Sequence, residues 1–392
     1  MQDRIIRLRK GKKGRLEAGH PWIFRGQILK LTSNVRPGDI VTVISNEDKF
    51  IGRGYYNPAS DITVRLLTFH DETIDNALLH NRIKEAASKR GFLKGVTNAK
   101  RLIFSEADRL PGLIADLYND TLVFQVFTLG MERLKGSVLE IMNDIIRPRF
   151  IYEKSDSPFR SIEGLKQVKT WHGDAGSGQV EIYEGSAKFI VDIINGHKTG
   201  FYLDQRRSRL ALKTIAKGKK VLDLFCYTGG FSVNAALGGA EKIVGIDIKP
   251  EWLNLARKNA MLNDVSAAID FKHGDVFEEL KNICNRKEKF DIIILDPPSF
   301  VRAKKDIVTA AKGYKEINTL ALKSLNEGGI LCTFSCSHNM PNEMFSQVLK
   351  DLAKKAGRTF TILKRCHQDK DHPIIKEIPE TEYLKGYFLR VK

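Results

Sequence analysis

Over the first 70 residues, short runs in which apolar and polar positions alternate ("IIRLR", "DIVTVIS", "FIGRGYY", "ITVRLL") are separated by Gly, Pro, Asn and Asp. A period of two between turn residues predicts β-strands buried on one side, and so many in so short a stretch predict a small barrel or pseudo-barrel. Between about 71 and 185 the periods mix. "DNALLHNRIKEAASKRGF" and "RLKGSVLEIMNDII" have helical spacing, whereas "RLIFSEA" and "LIADLYNDTLVFQVF" are strand runs, so an α+β segment is expected. Here Glu106, Asp108 and Asp116 stand among Asp, Pro and Gly and read as turn and register positions, not catalysts. "HGDAGSGQ", residues 172–179, reads as a loop, with a boundary soon after it.

From about 186 to 392 the strands lose their alternation. "KKVLDLFC", "KIVGIDI", "FDIIILDPP" and "ILCTFSCS" are nearly continuous apolar runs separated by helical segments such as "EWLNLARKNAMLN". Strands apolar on both faces predict a parallel sheet covered by helices on each side, an α/β arrangement. Ligands of such sheets lie at the carboxyl ends of the strands, near a topological switch point.

Those ends are acidic. Asp223 closes the first run ahead of a tight Thr228–Gly229–Gly230 turn, Asp247 ends the second, Asp275 follows the third in "FKHGDV", and Asp296 ends the fourth in "IIILDPPSF". An acid at the second tip is placed to accept hydrogen bonds from ribose hydroxyls. A dinucleotide-binding G-x-G-x-x-G is absent, since Phe225 and Tyr227 stand where glycines would admit a pyrophosphate. A nucleoside ligand without a pyrophosphate suits this loop, which describes S-adenosylmethionine. Pro297 and Pro298 hold a rigid edge beside Asp296, and Phe300 is a candidate to stack an extruded base.

Composition adds a partner. Lys and Arg number 64 against 47 Asp and Glu, a formal charge of +17. Residues 1–70 alone hold 13 Lys/Arg against six acids, which favours contact with a phosphate backbone. Five cysteines at irregular spacing do not form a secreted disulfide framework, and "MQDRIIRLRKGKKGR" has no apolar signal core, so a cytoplasmic protein with no membrane span is expected. Two cysteines with His338 and His367 lack the spacing of a zinc site, so no metal is expected.

The chain resembles the class I S-adenosylmethionine-dependent methyltransferases, and more narrowly the RlmI-type ribosomal RNA cytosine-5 methyltransferases. "HPWIF" and "GRGYYNPASDITVRLL" are similar to that family's N-terminal PUA module, which binds RNA, and "FSEADRLPGLIADLYND" to its central domain. "KTGFYLDQRRSR", "DLFCYTGGFS", "LDPPSF", "SCSHNM" and "DHPIIKEIPETEYLKGYFL" are similar to its catalytic domain. The resemblance implies three domains: a PUA β-barrel over 1–70, a central α+β domain over 71–185 and a Rossmann-like methyltransferase domain over 186–392. It implies that Asp223, Phe225, Tyr227, Gly229, Asp247 and Asp275 line the cofactor site, with the segment around Phe201 and Gln205 closing over its methionine end. Asp296, Pro297, Pro298 and Phe300 would meet the base, a cytosine of 23S ribosomal RNA in the large subunit.

Some cytosine-5 methyltransferases of RNA carry a second cysteine directly after the proline of this motif. Here Ser299 follows Pro298, which leaves the last core strand to supply the nucleophile. Cys332 and Cys336 share a face of that strand, and only Cys336 lies at its carboxyl end, so Cys336 is expected to attack C6 and Cys332 to be core. Two other readings stand beside this one. One is a ribosomal RNA methyltransferase acting on another base atom, such as a guanine nitrogen, without a cysteine nucleophile. The other is a non-catalytic RNA-binding assembly factor. A homodimer is left open.

Overall fold

The alternating runs at the N-terminus form a six-stranded sheet with Ile6, Leu8, Ile23, Val41, Val43, Val64 and Leu66 buried on its inner face. Its strands lie in the order Trp22–Phe24, Ile62–Thr68, Phe50–Tyr56, Ile40–Ile44, Ile5–Leu8, Ile28–Leu31, and only the pairing of Ile5–Leu8 with Ile40–Ile44 is parallel. A second, five-stranded sheet runs Val168–His172, Phe150–Ser155, Thr121–Val126, Leu113–Tyr118, Ala99–Phe104, and the helices Asn76–Ser88 and Leu129–Ile146 contribute to its core. This is the mixed pattern read from residues 71–185.

The computed structural model describes residues 4–11, 14–300, 307–337 and 339–392, with backbone alone for 307–310. Lys12, Lys13 and His338 lie outside the described residues. The chain divides into two compact units: Met1–Ile182 with Val191–Phe201 and Asp371–Thr381, and Tyr183–Ile190 with Tyr202–Lys370 and Glu382–Lys392. Both sheets above belong to the first unit. A late segment therefore folds with the N-terminal half: Asp371 accepts the Arg101 amide at 3.1 Å, and Glu380 pairs with Arg15 at 2.6 Å.

Buried charge is plentiful in the first unit, and much of it is paired. Arg90 grips Asp108 through two hydrogen bonds of 2.8 and 2.7 Å, and Arg101 grips Asp116 through two of 2.9 and 2.8 Å. Glu106 accepts from the Trp22 indole at 2.8 Å. Asp108 and Asp116 are thus held by buried arginines, which their turn-rich surroundings hid, and Glu106 by a half-buried indole.

In the second unit the continuous apolar runs form a seven-stranded sheet. Its strands are β1 (Lys220–Leu224), β2 (Lys242–Asp247), β3 (Ile269–His273), β4 (Phe290–Leu295), β5 (Leu325–Ser335), β6 (Phe360–His367) and β7 (Lys385–Val391). They lie in the order β3-β2-β1-β4-β5-β7-β6, with β1 to β5 parallel and β7 antiparallel to both its neighbours. The chain runs outward from β1 to β3 and then returns to β4 on the other side. The switch point thus lies between β1 and β4, the place where sheets of this kind hold their ligands.

Candidate active site

The loop after β1 has an unusual backbone. Phe225 and Tyr227 take positive φ of 64° and 50°, and Gly229 follows at 78°. Two non-glycine residues in the left-handed region are costly enough to need fixing from outside. Asp247, the last residue of β2, supplies that fixing: its carboxylate accepts the Tyr227 amide at 2.9 Å and the Lys249 amide at 3.1 Å. The Tyr227 ring is held edge-on between Tyr202, at 5.4 Å, and Trp252, at 5.0 Å. Gly229 is required by packing as well as by φ, since a Cβ there would lie 3.0 Å from Phe271 and 3.2 Å from Ala256.

Asp223 is buried beneath this loop. One carboxylate oxygen accepts the Ser232 hydroxyl at 2.6 Å; the other is buried with no partner among the described residues, as is the Thr228 hydroxyl. Burial, reinforced by the nearby charges of Asp296 and Asp247, pushes the Asp223 carboxyl up to about 7. Burial also raises Asp247. Buried polar atoms left unsatisfied are uncommon, and at the switch point of a parallel sheet they are groups whose hydrogen bonding a ligand could complete. Asp275 differs from these acids. It is exposed, and its carboxylate caps the helix Val276–Asn285 by accepting the amides of Phe277 and Glu278 at 2.9 and 3.1 Å. A helix cap and a ligand-binding acid give the same signal in sequence when both follow a strand.

Across the switch point, Asp296 comes directly after β4 and accepts the Gln205 side-chain amide at 3.1 Å. Cys336 comes directly after β5, and its thiol lies 3.8 Å from the carbonyl oxygen of the buried Pro297. Aspartate, proline and thiol thus meet at adjacent strand ends. Pro298 is exposed, and Phe300 is half-buried against Tyr314, at 4.8 Å, and Phe277, at 6.1 Å. Cys332 lies deeper in β5, fully buried, and burial drives its thiol well above the ordinary range, so it is core. Phe201 is buried in the first unit, where its amide donates to the Tyr118 hydroxyl at 3.1 Å.

Two domain families match the chain: a PUA-like domain over residues 6–69 and an S-adenosylmethionine-dependent methyltransferase over residues 167–381. The ribosomal RNA large subunit methyltransferase I proteins of Escherichia coli strains SMS-3-5 / SECEC and K12 / MC4100 are each 40% identical over 397 residues, covering all of both chains. The chain belongs to this family of S-adenosylmethionine-dependent methyltransferases. Solved structures share its fold: SMU.776, a methyltransferase complexed with SAH, has a TM-score of 0.86 at 23% identity with both chains fully covered. An S-adenosylmethionine-dependent methyltransferase from Streptococcus mutans has a TM-score of 0.85 at 23% identity, with 98% of this chain and 99% of the other covered. S-adenosylmethionine is therefore the cofactor, and the unsatisfied oxygens of Asp223 and Thr228 beside the Gly229 turn fit a ligand rich in donors and acceptors.

The methyltransferase also contains site residues that sequence reasoning missed. Lys385, buried on β7 opposite Ser335, donates to the carbonyls of Ser337 and Met340 at 2.7 and 2.6 Å and so fixes the turn that follows Cys336. Tyr314 donates to the Ser335 hydroxyl at 2.9 Å. A buried network underlies Gln205: Arg209 grips Glu184 at 2.8 and 2.6 Å, Arg206 reaches Asp369 at 2.6 Å, and Tyr383 donates to Asp204 at 2.6 Å. The cluster of basic residues in "DQRRSR" was the available signal, but their acidic partners are distant in sequence. Among the described residues no group of His, Cys, Asp and Glu could hold a metal ion, and no helix is long and apolar enough to cross a membrane.

Proposed function

We propose that this methyltransferase modifies C5 of a cytosine in large-subunit ribosomal RNA, with Cys336 as the covalent nucleophile and Asp296 as the base-facing carboxylate. The observation that carries this reading is the meeting of the Cys336 thiol with the Asp296–Pro297 edge at 3.8 Å. The substrate class follows the names of the relatives, ribosomal RNA large subunit methyltransferase I, and the PUA-like match agrees with an RNA partner. C5 of cytosine is a poor nucleophile. Addition of the Cys336 thiolate to C6 breaks the C5–C6 π bond and moves its electron pair onto C5. Bound S-adenosylmethionine supplies the electrophilic methyl group. Once C5 has taken that group and S-adenosylhomocysteine is left, a general base takes the C5 proton, the C–H pair restores the π bond and the C6–S bond breaks, returning the thiolate. An Asp296 carboxylate at the N3 and amine edge balances the charge of the protonated adduct and favours cytosine over uracil.

Asp223, Tyr227, Gly229 and Asp247 would hold the cofactor, with Phe225 shaping the loop and Asp275 at its margin. Pro297, Pro298 and Phe300 would border the base. The division into domains at 1–70, 71–185 and 186–392 and the cytoplasmic setting belong to the same proposal. A homodimer draws no support from the relatives or the fold.

The deciding experiment is Cys336→Ala. Methyl transfer to ribosomal RNA lacking the modification is expected to fall to background, while binding of S-adenosylhomocysteine stays within about twofold of wild type. Transfer at the wild-type rate removes the covalent mechanism and favours methylation of another base atom, which mass spectrometry of the digested RNA identifies. Absence of cofactor binding by the wild-type protein in calorimetry favours the assembly-factor reading.

A further inference from the structure

We propose that Gln205 is a positioning residue for the Asp296 carboxylate, and that it serves recognition of the base more than binding of the cofactor. This rests on the reading of Asp296 as the carboxylate that meets the base.

The orientation of the Gln205 amide is set by its neighbour. A carboxylate only accepts hydrogen bonds, so the group 3.1 Å from Asp296 Oδ2 is the amide nitrogen. The amide oxygen then points elsewhere, and it is buried without a partner among the described residues. Donation from a neutral amide fixes the direction of the carboxylate and leaves its charge intact. An arginine or lysine in this place would neutralise the charge that a protonated cytosine intermediate needs.

The turn carrying Gln205 is well anchored. It spans Leu203–Gln205, all three residues buried. On one side the Asp204 carbonyl accepts the Asp369 amide at 2.9 Å and the Asp204 carboxylate accepts the Tyr383 hydroxyl at 2.6 Å. On the other, Arg209 donates to the Tyr202 carbonyl at 2.9 Å while holding Glu184 with its remaining nitrogens, and Arg206 holds Asp369. This much buried ionic structure under a three-residue turn gives Gln205 one position. Asp296 stands one residue beyond the end of β4, and the Gln205 amide gives its carboxylate a donor held by this network. Gln205 thus carries the rigidity of the network to the carboxylate.

The test is a double-mutant cycle of Gln205→Leu and Asp296→Asn, with Gln205→Met as a second variant that keeps the side-chain length. Two readouts are taken: calorimetric affinity for S-adenosylhomocysteine, and the methylation rate of unmodified large-subunit ribosomal RNA at saturating S-adenosylmethionine. Each Gln205 variant is expected to bind S-adenosylhomocysteine within about twofold of wild type and to lose about 10- to 100-fold in rate, the range for one hydrogen bond to a charged group. Retained cofactor binding also certifies the fold. The double variant is expected to be no slower than Asp296→Asn alone, because Gln205 acts through Asp296. A tenfold loss of cofactor affinity with an unchanged saturated rate, or additive losses in the cycle, overturns the inference. If Asp296→Asn is inactive and the Gln205 variants are normal, the inference alone falls. If Asp296→Asn keeps the wild-type rate, the reading of Asp296 falls with it.

Discussion

Asp108 and Asp116 in the first unit and Asp223 in the second are buried to the same degree, yet they are treated differently. Each of the first two is clasped by an arginine through paired hydrogen bonds, whereas one Asp223 oxygen has no partner among the described residues. Burial of a carboxylate is costly, and a bidentate guanidinium is the arrangement that best offsets it. Where the sequence supplies that arginine, the acid is scaffold. Where it supplies a serine in place of an arginine, the acid keeps one oxygen without a partner among the described residues. Partner chemistry therefore separates the arginine-clasped acids of this protein from the acid proposed to meet the cofactor, and depth does not.

The sharpest way to break the comparison is to remove a partner from the scaffold. Arg90→Met leaves Asp108 buried with the Phe104 amide, at 2.7 Å, as its remaining donor among the described residues, and is expected to destabilise the first unit by about 3–5 kcal/mol. Hydrogen exchange over Ala99–Phe104 should accelerate accordingly. Replacing both residues, Arg90→Met with Asp108→Asn, should recover more than half of the loss, since the penalty comes from the orphaned charge. If the double variant is as unstable as the single one, packing and not pairing holds this region.

The opposite substitution in the second unit should stabilise. The Asp223 carboxyl sits at about 7, above its ordinary value, with burial as the main cause. Between about pH 4 and 7 the folded state keeps a proton that the unfolded chain has released, so stability is lost as pH rises through that window. Asp223→Asn removes the titration. It is expected to flatten the decline and to add up to about 4 kcal/mol above pH 7, with weaker binding of S-adenosylhomocysteine as the accompanying cost. Urea melts of wild type and variant at pH 5 and pH 8 measure this. An unchanged slope, or a variant less stable at pH 8, would show that Asp223 is satisfied in the folded protein.

Much of this was legible in the chain, and the boundary of legibility has a physical cause. Parallel strands buried on both faces read as unbroken apolar runs, so the sheet, its carboxyl ends and the acids on them could be placed from local pattern. Cys336 was separable from Cys332 because strand direction distinguishes the end from the middle. What stayed hidden depends on pairing between distant residues. Nothing near Asp108 announces Arg90, nothing near Gln205 announces Asp296, and Lys385 looks like a misplaced charge in an apolar strand until the carbonyls of Ser337 and Met340 meet it. Asp275 shows another limit: a strand-end acid gives the same local signal whether it meets a ligand or, as its carboxylate does here, caps the helix that follows. The return of Asp371–Thr381 to the first unit is likewise invisible to a segment-by-segment reading.

The same distinction between partnered and unpartnered groups orders the cations of the N-terminal sheet. Arg4 pairs with Asp39, Arg7 with Asp48, Arg53 with Asp71 and Arg65 with Glu163, so these charges are already engaged. Arg9, Lys10, Lys30 and Arg36 are exposed and make no ion pair among the described residues. If this sheet meets the RNA backbone, the second group carries the binding. Replacing all four by Gln should weaken RNA binding most at low salt, and the slope of log affinity against log salt should become shallower by roughly 0.7 to 0.9 for each phosphate no longer neutralised. Arg4→Gln and Arg53→Gln should leave that slope nearly unchanged, because their charges are matched within the fold. Filter binding at several salt concentrations reads both outcomes. Equal slopes for the fourfold variant and wild type would assign the phosphate-binding surface to another part of the molecule, and a large effect from Arg4 or Arg53 would mean that short-range ion pairing within the fold does not decide which surface charges remain available to a polyanion.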